Sequence, residues 1–200
     1  EASEQIKILQ EKLPKTLLSI KSKILQAKIL EKDNKIEDAI NILFEIEKKI
    51  LSFSKYSELR SHLPEVIYHQ GYLYQKSKLF KNAYNRYRTL QIDFPKNQLT
   101  QKAKEEMKKL AKVEQIKIEP LLLDEHERRI KELLYDVEYH QVVSEVSEIL
   151  KTQNFLPVNF YFYLAKAQKG LRKRNLSNAV LKKFLKHYPD HRRTQEALFT

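Results

Sequence analysis

Residues 64–95 read PEVIYHQGYLYQKSKLFKNAYNRYRTLQIDFP, and the fold class follows from their spacing. Two amphipathic helices fit between Pro64 and Pro95, joined by the short turn Ser77-Lys78-Leu79. Gly71 is one of only two glycines in the chain, and it falls inside the first helix. A glycine in a helix interior costs about 1 kcal/mol against alanine, so its presence predicts the close approach of a second helix. Ala83 is the small residue expected to face it. Tyr74, Tyr87 and Leu90 fill the space around that contact, and Pro95 ends the second helix.

The spacing recurs along the chain. Ala27, Leu30, Ala39, Leu43 and Ile46 repeat the positions of Gly71, Tyr74, Ala83, Tyr87 and Leu90, around the polar turn Lys32-Asp33-Asn34-Lys35. Beyond Pro120, the apolar residues Ile130, Leu133, Val142, Val146 and Ile149 repeat it again around Asp136-Val137-Glu138, without the small residues. Pro157 to Pro189 closes the series, and His187-Tyr188-Pro189 mirrors Asp93-Phe94-Pro95. Ala167 and Ala179 keep the Gly71–Ala83 spacing there but stand too close to the final proline. Ala165 and Ser177 restore that distance, and both registers remain open. The reading is a single domain over residues 1–200 with units at about 16–52, 62–96, 119–152 and 157–190. A spacer helix at about 97–118 carries a thin stripe of Leu99, Ala103, Met107, Leu110 and Val113.

One set of positions carries a family likeness. Ile67, Gln70, Gly71, Tyr74, Ala83, Tyr87, Leu90 and Pro95 stand where the tetratricopeptide repeat, a helix-turn-helix unit of about 34 residues, has an aromatic residue, Leu, Gly, Tyr, Ala, Phe, Ala and Pro. The chain therefore resembles that family, with Gln70 as the main departure. The resemblance implies an all-α fold of about 9–11 helices, in which helix-turn-helix repeats stack as a right-handed superhelix, an α-solenoid. It also implies a concave groove lined by the first helix of each unit. Projected onto this sequence, those positions are Glu65, Tyr68, Tyr72, Gln75 and Lys76, with Lys21, Ile24, Lys28, Lys131 and Tyr135 from the other units. Tyrosines suit such a surface because they offer a large contact area and a hydroxyl at little entropic cost. The implied function is a protein-protein interaction scaffold that holds a peptide, helix or domain of a partner and stabilises it. The aromatic-proline endings resemble a subgroup common in bacterial envelope proteins, including the outer-membrane-assembly lipoprotein and the cell-division coordinator of the periplasm. That likeness implies a bacterial cell-envelope location, periplasmic or membrane-associated, and at family level a link to virulence; the cytoplasm is the alternative.

Composition narrows the chemistry. At 200 residues and 42% apolar content the chain can bury a sizeable core. The scarcity of glycine and the lack of sustained alternation favour helices throughout. The absence of cysteine excludes disulfides and thiolate metal sites. No apolar run approaches the roughly 18 residues of a membrane span; the densest, Phe155 to Ala165, reads as a buried helix. The sequence opens on Glu1 and not on methionine, so a leader or lipid anchor upstream would lie outside it. Two glycines cannot build a phosphate-binding loop. His187 and His191 have metal-ligand spacing, but Pro189 interrupts the helix between them. His126 lies in Asp124-Glu125-His126-Glu127, whose side chains diverge on a helix and suit a solvated first turn. The expectation is a protein with no catalytic centre, no cofactor and no metal.

Charge is concentrated toward the end. Lys166, Lys169, Arg172, Lys173, Arg174, Lys182, Lys183, Lys186, Arg192 and Arg193 are opposed between residues 166 and 193 only by Asp190. The chain as a whole carries +12. Such a patch attracts an acidic protein, an anionic membrane surface or, as a less favoured partner, nucleic acid.

Overall fold

The computed structural model describes residues 17–53, 58–113, 116–153 and 156–199. Every regular element among them is helical. In order they are α1 (Leu17–Lys32), α2 (Ile36–Leu51), a 3-10 turn (Glu58–His62), α3 (Leu63–Lys76), α4 (Phe80–Asp93), α5 (Gln98–Val113), α6 (Leu123–Tyr135), α7 (Tyr139–Thr152), α8 (Val158–Gly170), α9 (Arg174–His187) and α10 (Thr194–Phe199). Consecutive helices pack on one another within two compact units, residues 1–119 and 120–200. The division falls at Pro120, within the non-helical stretch 116–122.

The four helix pairs α1–α2, α3–α4, α6–α7 and α8–α9 turn in the same way. Each turn contains one non-glycine residue in the left-handed region: Asn34, Lys78, Val137 and Arg172, all with φ near 60°. Around Lys78, the Lys78 N–H donates to the Gln75 carbonyl at 3.0 Å and the Leu79 N–H to the Tyr74 carbonyl at 2.9 Å. The corresponding bonds close the other three turns, as in Lys35 N–H to Leu30 O and Lys173 N–H to Gln168 O. This is the Schellman arrangement, which satisfies the last carbonyls of the first helix and reverses the chain within three residues.

Counting from these left-handed residues fixes the register that the sequence left open. Gly71 and Ala83 correspond to Ala27 and Ala39, to Ile130 and Val142, and to Ala165 and Ser177. Ser177 Oγ donates to the Ala165 carbonyl at 3.0 Å, and both residues are buried. Ala167 is also buried, but Ala179 lies on the exposed side of α9, so the Ala167–Ala179 register is replaced by Ala165–Ser177. The contact at Gly71 also differs from the expected glycine-alanine pair. A Cβ there would lie 2.5 Å from Cε1 of Tyr87, so the glycine makes room for a ring.

Unit 1 centres on Leu43, Ile46, Ile50, Leu73, Tyr87 and Leu90, which are fully enclosed. The helix expected as a spacer is instead α5, packed on α3 and α4 through Thr100, Ala103, Met107 and Leu110. Val113 is exposed, and Thr100 takes the buried place next to the half-buried Leu99. Thr100 Oγ1 donates to the Phe94 carbonyl at 2.5 Å, tying the Phe94-Pro95 ending to the new helix. Thr194 Oγ1 bonds the Tyr188 carbonyl at 3.4 Å in the matching corner of unit 2.

Unit 2 is built around aromatic rings. Phe184 is fully buried, with Phe162, Tyr161 and Tyr188 at centroid separations of 4.9, 5.8 and 5.7 Å. Ile130, Leu133, Val142 and Val146 form the core of α6–α7. The missing side chain of Gly170 is replaced by the ring of Tyr139, which enters from the start of α7.

Candidate protein-binding groove

In unit 1, α1, α3 and α5 together present one face. Along α3, Tyr68, Tyr72, Gln75 and Lys76 fall on that face, because one helical turn separates them and the opposite side holds the buried Val66, Ile67, Gln70 and Leu73. Two adjoining clefts of about 420 Å³ each open here, and both are lined by Tyr68 and Tyr72. Lys28, Glu31, Glu65, His69 and Leu99 border the first; Gln75, Lys76, Tyr87 and Glu106 border the second.

Ion pairs brace the walls. Lys28 Nζ lies 2.9 Å from Glu65, linking α1 to α3. Glu31 reaches two α3 residues, His69 Nε2 at 2.9 Å and Lys76 Nζ at 3.3 Å. Burial pushes the Glu31 carboxyl up, but hydrogen bonds from His69 and Lys76 outweigh it and hold the group below its ordinary value. Between α3 and α5, Gln75 Nε2 donates to Glu106 at 3.2 Å, and Lys109 Nζ stands 2.6 Å from the same carboxylate. Burial raises Glu106 and the bonds from Lys109 and Gln75 bring it below the usual value.

Tyr87 lies beneath the second cleft. Its hydroxyl donates to Gln75 Oε1 at 3.0 Å, and its ring meets Tyr68 at 5.6 Å. Burial pushes the Tyr87 and Tyr68 phenols up, so both stay neutral donors. Tyr72 is 43% exposed and is the most accessible ring of the face. The floor is thus aromatic and neutral, while the rim carries paired charges of both signs. That arrangement suits a peptide or a helix presenting apolar side chains with mixed polar neighbours.

The structure therefore gathers Tyr68, Tyr72, Gln75, Lys76, Lys28 and Glu65 on one face. Lys21 is exposed, whereas Ile24 turns into the core at 5% exposure. Lys131 and Tyr135 belong to unit 2, on the corresponding face of α6. There Lys131 pairs with Glu127 at 2.9 Å, and Glu127 also accepts from Tyr163 and Asn159. Tyr135 is exposed. Glu31, His69 and Glu106 were not picked out from sequence. Each looks like an ordinary surface residue until helices from different pairs meet.

The basic residues divide among three places. Lys166 and Lys169 lie on α8 where Tyr72 and Gln75 lie on α3. Arg172, Lys173 and Arg174 form the exposed turn into α9. Lys182, Lys183 and Lys186 occupy the side of α9 opposite its buried Ser177, Leu181 and Phe184. Arg192 is exposed. Arg193 is not part of a solvent-facing patch: its guanidinium lies 3.5 Å from the centre of the Phe162 ring, pairs with Glu196 and bonds Asn159.

His126, His187 and His191 have local partners. His126 Nδ1 stands 2.6 Å from Glu145, which also accepts from Arg129 Nε at 3.0 Å. His187 Nδ1 meets the Tyr161 hydroxyl at 2.6 Å, and His191 Nδ1 accepts from the Arg193 N–H. Among the described residues, no cluster of three His, Asp or Glu side chains could hold a metal ion, and no helix is long and apolar enough to cross a membrane.

No family model, curated protein or solved structure matches the chain.

Proposed function

We propose that the protein is a non-catalytic interaction scaffold of the tetratricopeptide kind, whose α1–α3–α5 face holds a segment of a partner protein and stabilises it. The observation that carries this reading is the pair of adjoining clefts sharing Tyr68 and Tyr72. Stacked helix pairs of a repeat array expose the first helices as a continuous binding face. Four equivalent turns and the repeated positions around Gly71, Ala27, Ile130 and Ala165 support that architecture. The aromatic-proline endings at Phe94-Pro95 and Tyr188-Pro189 favour a bacterial cell-envelope complex as the setting. Catalysis is not part of the proposal, because the groove carboxylates Glu31, Glu65 and Glu106 are engaged in ion pairs and His69 Nε2 is held by Glu31.

A photo-crosslinking residue in place of Tyr72 tests it in the native cell. The expected result is one defined protein adduct, lost when Tyr68 is also changed to alanine. Diffuse labelling equal to that from an exposed site such as Lys108 would remove the groove from the account.

A second reading has its own support. The exposed side of α9 carries Lys182, Lys183 and Lys186, and no acidic residue occurs in that helix. Nucleic acid or anionic lipid bound there would dissociate steeply with added salt, whereas an aromatic groove contact would persist.

A further inference from the structure

The two units differ at one equivalent position, and the difference leaves a cleft. In unit 1, Glu47 of α2, Gln70 of α3 and Arg86 of α4 meet where the first helix pair packs on the second. Gln70 Nε2 donates to Glu47 Oε2 at 3.0 Å, and Arg86 Nη2 to the same oxygen at 2.6 Å. The Arg86 guanidinium covers the Phe44 ring at 5.2 Å. The site is filled by the chain's own side chains.

Counting from the left-handed turn residues, Leu150 of α7, Leu164 of α8 and Val180 of α9 hold the equivalent places in unit 2. None of them is long and polar. A cleft of about 330 Å³ opens there, walled by Leu150, Leu156, Leu164 and Val180 and bordered by Lys183 and Lys186. Leu150 is 44% exposed at its edge.

We infer that this cleft is a second binding site, which takes an acidic amphipathic segment of a partner protein. The recess accepts protruding apolar side chains, and the lysines along one side of α9 meet flanking carboxylates. A bilayer presents a flat surface and engages apolar residues that protrude, whereas Leu156 is buried, Leu164 and Val180 are half-buried, and Leu150 alone stands exposed at the edge. Single-stranded nucleic acid stacks its bases on exposed aromatic faces, but of the two rings lining the cleft Tyr161 is only 3% exposed and His187 is held edge-to-face against it, with Nδ1 bonded to the Tyr161 hydroxyl. Charge complementarity and an apolar floor together select the acidic amphipathic segment. The site lies wholly within unit 2 and stands independently of the groove on α1, α3 and α5.

The test uses the full chain and a labelled, amidated helical peptide of about four turns, with leucine at one-face spacing and glutamate elsewhere. Fluorescence anisotropy at about 0.15 M salt reads its binding. The inference expects saturable binding, weakened roughly tenfold or more by K183E/K186E and by Leu150→Ser. Circular dichroism and melting confirm that both variants fold. The Tyr68→Ala/Tyr72→Ala variant is expected to bind the peptide as the natural protein does. A peptide with serine in place of leucine is expected to fail, and one with lysine in place of glutamate to gain affinity for K183E/K186E. The inference falls if the peptide does not bind, if the serine peptide binds equally, or if the tyrosine variant abolishes binding. It also falls if anionic vesicles or single-stranded RNA compete through Lys183 and Lys186 while Leu150→Ser changes nothing.

Discussion

The ring of Tyr87 occupies the space in which a side chain on Gly71 would begin, with Cε1 2.5 Å from the position of that missing Cβ. Tyr87 is fully enclosed, and its hydroxyl is held by Gln75, so the ring cannot retreat without breaking that bond. Alanine is the better helix former by about 1 kcal/mol. Overpacking here nevertheless exceeds that gain, and Gly71→Ala is expected to lower stability by about 1–2 kcal/mol net. Denaturant unfolding measures it. A variant as stable as the natural protein would show that the ring has room to move.

The four reversing turns predict the opposite sign at another position. Val137 holds φ of 63°, a conformation that a β-branched residue adopts at a cost of about 1–2 kcal/mol. It is 62% exposed, so little packing is lost on its removal. Val137→Gly is expected to raise the melting temperature of unit 2. Asn34→Gly is expected to gain much less, since asparagine tolerates the left-handed region. Equal effects at the two sites would overturn this account of the turns.

The buried polar cluster of unit 1 yields a paired prediction. Arg86 and Glu47 are only 17% and 14% exposed, and Gln70 Oε1 and Arg86 Nε are buried without a hydrogen-bond partner. Removing the carboxylate alone, by Glu47→Ala, strands the guanidinium and is expected to cost about 2–4 kcal/mol. Introducing the unit 2 set together, Glu47→Leu, Gln70→Leu and Arg86→Val, removes every polar group at once. That triple variant is expected to be far less destabilised than Glu47→Ala. Unfolding free energies of the two proteins decide it, and a triple variant weaker than the single one would refute the reasoning.

These cases also show what the sequence could and could not disclose. Helix pairs were legible because small and apolar residues recur at helical spacing around polar turns. The register of the last pair was not, since Ala165 and Ala167 both precede a small residue at the same distance. The left-handed conformation of Arg172 resolves it, and φ cannot be read from an arginine. Gln70 looked like a departure in an apolar position; its reason is Glu47, which lies on another helix pair. The tetratricopeptide likeness, projected onto the sequence, puts Tyr68, Tyr72, Gln75, Lys76 and Lys28 on one face. Ile24 does not join them, because an apolar residue at the edge of that face was drawn into the core. The pairing of Glu31 with His69 and Lys76 depends on how α1 meets α3, which spacing within either helix does not encode. Arg193 counted as patch charge until Phe162 and Glu196 were seen to hold it.

Glu31 makes the groove sensitive to acid. Its folded-state pKa lies below the ordinary 4.5 because the hydrogen bonds from His69 and Lys76 overcome the effect of burial. A carboxyl depressed in the folded state binds protons more readily when unfolded. Its contribution to stability is therefore complete above the unfolded value and fades as pH falls through the folded one. Glu31→Gln removes the charge that His69 and Lys76 meet, so the variant is expected to be less stable than the natural protein near neutrality. Below pH 4.5 the gap between the two is expected to narrow, because the natural protein alone loses this contribution. Unfolding curves collected across that range measure the gap directly. A gap constant with pH would show that the carboxylate of Glu31 does not join α1 to α3, and the wall of the first cleft would need another explanation.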